Sequence, residues 1–175
     1  MQDDALVPGG WVLLNYRMPR VPSSPRVALW RRLQALGVVQ LGDGLVALPA
    51  DARTREHFGW IAAEILENGG TATVWLAKPT SPAQEREIAA AMADERRAEY
   101  SALGEEARVA SALVGPARAR AARRLRTQLR KIARRDYFPP VERETAQGAI
   151  ADLLTAEDAA AADLMPRPGG ERQHA

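Results

Sequence analysis

The residues best suited to chemistry lie in PARARAARRLRTQLRKIARRDYFPP, residues 116–140. Between Arg118 and Arg135 this stretch holds eight arginines and one lysine, with no acidic residue among them. Guanidinium and ammonium groups at this density bind oxyanions: nucleic-acid phosphates, the carboxylates of an acidic protein surface, or acidic lipid headgroups. The charge is segregated. The chain has 24 basic and 22 acidic residues, so removing these nine cations leaves the remainder at −7. Such segregation points to a dedicated surface rather than a generally cationic protein.

At about 100° per residue, Ala121, Leu125, Leu129 and Ile132 fall on one narrow helical stripe. Arg120, Arg123, Arg124, Arg126, Arg130, Lys131, Arg134 and Arg135 occupy nearly all the rest, and Arg118 alone sits close to the stripe. A helix over 117–136, bounded by Gly115-Pro116 and Pro139-Pro140, therefore docks by one edge and offers its remaining surface to something negative. A solvated helix normally mixes charges to gain i,i+4 pairs, whereas here the neighbours are alike. Two explanations stay open. The cations contact phosphate, or they face Glu95, Glu99, Glu105 and Glu106 on the preceding helix, within the chain or across a dimer. The narrow stripe lacks the bulky apolar face of a membrane-surface helix.

Other chemistry finds little footing. Cysteine is absent and there are two histidines, His57 and His174, so disulfides, thiolate nucleophiles and a metal site are not expected. No GxxxxGK[ST], GxGxxG or HExxH pattern occurs, and no cofactor is expected. Asp43 falls in a turn and Asp51 reads as a helix cap. No catalytic residue is nominated, and the expectation is a protein that is not an enzyme. No apolar run approaches the roughly 20 residues of a membrane span, and MQDDALVPGG lacks a signal pattern. Both point to the cytoplasm.

The elements that carry these groups follow from punctuation and period. An apolar strand over 11–16 has the composition of one covered on both faces. Ser24 and Pro25 open a helix in which Leu29, Trp30, Leu33 and Leu36 share one side, Arg31 and Arg32 face away, and Gly37 ends it. VVQLGDGLVALP predicts a hairpin turning at Asp43-Gly44. A helix capped by Asp51 buries Phe58, Ile61, Ala62 and Ile65 and stops at Gly69-Gly70; Trp60, opposite that stripe, is covered by later helices or marks an interface. TATVWLAKP is a last strand. The order βαββαβ over 11–79 is that of a ferredoxin-like α+β sandwich, an antiparallel sheet with both helices on one face. Beyond it a helical appendage over 80–164 opens with a capping box at Ser81 and Gln84, preceded by a flexible N-terminus (1–10) and followed by a disordered tail (165–175).

The α/β unit resembles the N-terminal domain of the ChrB chromate-resistance regulators. The resemblance is carried by Met18-Pro19, by RVALWRRL (26–33), by Leu36-Gly37, by Asp43-Gly44 with Leu48-Pro49, by Gly69-Gly70, and by RRDYFP (134–139). It implies a cytoplasmic, DNA-associated transcription regulator linked to chromate resistance. Duplex DNA would be the partner, held by the cations of the basic helix with Arg31 and Arg32 as a second patch. Fuller ChrB proteins carry a further C-terminal domain, which leaves chromate open as an effector here. More distantly, the unit is similar to the domain of phenylacetate-type repressors and CRISPR-associated spacer-acquisition proteins. In the latter an acidic residue near the end of the first strand is tied to nuclease activity; the comparable place holds the neutral Asn15. Such domains pair through sheet edges, which implies a homodimer.

Overall fold

The computed structural model describes residues 10–163, with side chains to Thr155. Expectations for residues 1–9 and for the tail 165–175 fall outside the described residues. In chain order the elements are β1 (Trp11–Arg17), α1 (Ser24–Leu36), β2 (Val39–Gly42), β3 (Leu45–Pro49), α2 (Ala52–Glu67), β4 (Thr71–Ala77), α3 (Pro82–Ala110), α4 (Gly115–Ala133) and α5 (Glu142–Asp163). The chain forms two compact units. One comprises the residues up to Arg96 together with Arg134–Pro139; the other comprises Arg97–Ala133 and the chain from Pro140 onward.

The first unit is built on an antiparallel sheet of order β2-β3-β1-β4, the ferredoxin-like arrangement. Register explains which residues become core. Val12 lies opposite Leu48 and Leu14 opposite Val46, so all four share a face. They join Leu29 and Leu33 of α1 and Phe58, Ile61 and Ile65 of α2 in one buried cluster. Trp11 is buried too, tilted against Phe138 with ring centroids 6.0 Å apart, while Leu13 is partly covered. The continuous apolar run in β1 is thus covered on both faces over Trp11–Leu14, and the strand emerges at Asn15.

Local chemistry sets the element ends. Asp51 accepts from the Thr54 amide at 2.6 Å, and Thr54 Oγ1 accepts from the Asp51 amide at 2.9 Å, which closes a reciprocal cap on α2. The hairpin turns at Asp43-Gly44. Gly44 has φ +69°, and a Cβ there would lie 2.2 Å from the Tyr16 carbonyl oxygen, so this turn needs glycine. The cap of α1 is Ser23 rather than Ser24, because the Val27 amide bonds the Ser23 carbonyl at 3.1 Å and draws the first turn one residue earlier. Trp30 also departs from expectation. Leu29 and Leu33 fill the α1 stripe, and Trp30 stays 37% exposed beside Tyr16, Arg26, Val27 and Gln40.

The second unit has its own core: Tyr100, Leu103 and Ala107 of α3, Ala122, Leu125 and Ile132 of α4, and Ala146, Ile150 and Leu153 of α5. Gln84 donates its amide to Ser81 Oγ at 3.3 Å at the start of α3. That helix contributes Ile88 and Met92 to the first core and Tyr100 onward to the second. Arg96 occupies a seam position between them in sequence. It is 4% exposed and pairs with Glu95 at 2.8 Å. An arginine on an apolar seam has no signature in the hydrophobic pattern, and sequence reasoning passed over it.

Candidate nucleic-acid interface

α4 forms because alanine, arginine, leucine and glutamine are strong helix formers, and because its apolar edge finds a groove. Leu125 and Ile132 are buried as expected, with Ala121 and Leu129 partly so. Ala119 and Ala122 are buried as well, since their small side chains let the backbones approach closely. Burying Leu125 completely contributes roughly 1.5–3 kcal/mol. That offsets the mutual repulsion of the cations, each like-charge i,i+4 pair costing a few tenths of a kcal/mol. The helix ends at Ala133 and begins at Gly115, rather than spanning 117–136. Beyond it Arg134–Pro139 joins the first unit, where Tyr137 and Phe138 pack against the sheet core.

Arg120, Arg123, Arg124, Arg126, Arg130 and Lys131 are all exposed on α4. Arg118 is half-buried, with its Nε enclosed. Two carboxylates of α3, Glu95 and Glu105, pair with an arginine of their own helix. Glu105 makes a two-pronged contact with Arg108, at 2.5 and 2.9 Å, and that hydrogen bond holds its carboxyl below the usual range. Glu106 reaches across to α4 and bonds Arg124 Nη1 at 2.9 Å. Arg97 contacts Glu142 at 3.4 Å. Arg120, Arg126, Arg130 and Lys131 make no ion pair with any described residue. The product is a helix face of aligned donors exposed to solvent, the arrangement suited to a line of phosphates.

The other nominated residues lie in the first unit. Arg134 is exposed and Arg135 half-buried. Arg31 is exposed, whereas Arg32 is paired with Glu64 of α2. Trp60 remains 54% exposed and meets His57 edge-on at 5.9 Å. Asp43 sits exposed in its turn and Asp51 serves as the α2 cap. No group of three His, Cys, Asp or Glu side chains among the described residues could hold a metal ion. No helix among them is long and apolar enough to cross a membrane.

Fold and site together define a class: a ferredoxin-like α+β unit followed in sequence by a helical unit with a cationic face. Residues 26–109, from α1 almost to the end of α3, match the family model described as protein ChrB, N-terminal. The chain is also 28% identical over 163 residues to protein ChrB of Cupriavidus metallidurans, covering 91% of this chain and 48% of the relative. It spans about half the length of that relative. The resemblance carried by RVALWRRL and the hairpin is therefore to this family, and α4 lies beyond the stretch that the family model matches. No solved structure matches the chain.

Proposed function

We propose that this protein is a non-enzymatic, DNA-associated transcription regulator linked to chromate resistance, and that it grips duplex DNA with the exposed face of α4. The observation that carries this reading is the set Arg120, Arg126, Arg130 and Lys131: four exposed cations on one helix with no ion pair to any described residue. Phosphate contacts of this kind release counterions and make binding steeply salt-dependent. Asp43 and Asp51 serve turn and cap, which accords with a role outside catalysis. The similarity to protein ChrB supports the chromate link. Duplex-DNA binding measured between 50 and 200 mM salt tests the proposal; absence of binding at the lowest salt refutes it.

A second reading has its own observation. The Arg124–Glu106 pair shows the basic helix meeting an acidic neighbour, as in an interaction module whose charges are satisfied by protein. Under that reading, alanine substitutions on α4 lower the melting temperature and change no nucleic-acid binding.

A further inference from the structure

Trp30 is the largest side chain of α1, and it lies outside the core that its spacing suits. Register shows what it faces. Leu14 lies opposite Val46, and Val46 opposite Gln40, so these three share a sheet face with Tyr16, two residues along from Leu14. Leu29 and Leu33 of α1 pack on that face, while Gln40 stays exposed on the edge strand β2. There Arg26, Val27 and Trp30, neighbours on one side of α1, bound a cavity of about 360 Å³ together with Tyr16 and Gln40. Ligand sites run from about 300 to 1,000 Å³, so this one has room for a single small molecule.

The groups around the cavity are not engaged by the fold. Trp30 is 37% exposed and Val27 45%, which leaves an apolar wall in water. Neither the Arg26 guanidinium nor the Tyr16 hydroxyl meets a hydrogen-bond or ion-pair partner among the described residues. Burial raises the Tyr16 hydroxyl above its ordinary range, so it stays a neutral donor. The Gln40 amide makes one long bond, 3.5 Å to the Gly42 carbonyl. α1 also begins with no side-chain cap and no acidic residue in its first turn, so the positive end of its dipole is uncompensated beside Arg26.

We infer that this cavity binds a purine nucleoside monophosphate, with Trp30 under the base, Gln40 at its edge and Arg26 on the phosphate. An exposed indole is a platform on which a flat base stacks. A carboxamide sets a donor beside an acceptor, the pattern that pairs with adenine. A guanidinium forks onto phosphate oxygens, and the first turn of α1 favours the same charge. Arg26 and Trp30 are four residues apart, about 6 Å along the helix, a separation that a ribose bridges. The Tyr16 hydroxyl supplies a donor for the sugar or the base. Simpler ligands fit less well. An inorganic anion leaves Trp30 and Val27 bare, and an apolar molecule leaves Arg26 without an anion. The site lies wholly in the first unit and shares no residue with the cations of α4.

Calorimetric titration of the full chain with adenosine monophosphate should give saturable binding with a Kd below about 1 mM. Adenosine should bind about tenfold more weakly, having lost the charge-assisted contact. Arg26→Ala should weaken the monophosphate about tenfold and leave adenosine unaffected. Trp30→Ala should weaken both about tenfold, and Trp30→Phe, which keeps a ring, should restore most of that loss. Arg126→Ala/Arg130→Ala/Lys131→Ala should bind the monophosphate as the unaltered chain does, which separates this site from the proposed duplex contact. No binding at about 1 mM monophosphate, adenosine as tight as the monophosphate, or benzoate tighter than either would overturn the inference. So would an affinity indifferent to Trp30→Ala, or one lost with the cations of α4.

Discussion

Arg124 of α4 and Glu106 of α3 form an ion pair at 2.9 Å, both side chains about half exposed. Exposed pairs of this kind contribute about 0.2–1 kcal/mol. The pair thus holds one cation of the basic face towards protein at little gain in stability. Releasing it should favour phosphate. Glu106→Gln is expected to tighten duplex-DNA binding about threefold to tenfold at 0.1 M salt and to steepen the salt slope by about one. Fluorescence anisotropy over a salt series checks this; weaker binding would show that Glu106 positions the helix instead.

Tyr137, just past α4 in sequence, donates its hydroxyl to the Leu36 carbonyl at 3.2 Å, joining segments 101 residues apart. Burial pushes this hydroxyl above its ordinary range; Arg53 opposes the shift and Asp51 adds to it. The proton is therefore lost at higher pH in the folded unit than in the unfolded chain. The associated stability is complete below about pH 10 and declines as pH rises from there towards the folded value. Tyr16 is shifted the same way by burial. Tyr137→Phe should cost about 1 kcal/mol at pH 8 through the unpaired carbonyl, yet make the loss of stability between pH 9 and 11 shallower. All four tryptophans, Trp11, Trp30, Trp60 and Trp75, lie in the first unit, so urea unfolding followed by their fluorescence reports on it directly.

Gly37 ends α1 at φ +75°, and a Cβ there would lie 2.7 Å from the Arg135 carbonyl oxygen and 2.8 Å from its Cβ. Gly37→Ala should destabilise the first unit by about 1–3 kcal/mol, from left-handed strain and displacement of the returning backbone. The same tryptophan signal should show a lower melting temperature. An unchanged one would mean that the 134–139 segment is not held against α1.

Much of this was legible in the sequence where a single local cause dominates. Asp43-Gly44 specified the hairpin, Asp51 the cap of α2, Gly37 the end of α1, and the βαββαβ order the sheet. The keel of α4 was readable from Leu125 and Ile132 because period 3.6 leaves few alternatives. What escaped depended on tertiary partners. Arg96 is buried on a seam that polarity alone would place in water, and Trp30 is exposed although its spacing suits the core. The end of α4 at Ala133 follows from Tyr137 and Phe138 finding the first core, a long-range event no local pattern carries. Of the nominated cations, sequence could not tell that Arg32 and Arg124 pair with Glu64 and Glu106 while Arg120, Arg126, Arg130 and Lys131 do not.

The most direct measurement is the salt dependence of duplex-DNA binding by the chain and by Arg126→Ala/Arg130→Ala/Lys131→Ala. The proposed interface predicts a log–log slope near −4 for the unaltered chain, smaller in magnitude by about 2.7 in the triple variant, each phosphate contact contributing about 0.9. The melting temperature should not fall, since these side chains are exposed, make no ion pair with the described residues and repel one another. No binding at 50 mM salt, or an unaltered slope with a lowered melting temperature, would contradict the account and favour a basic helix held by protein carboxylates.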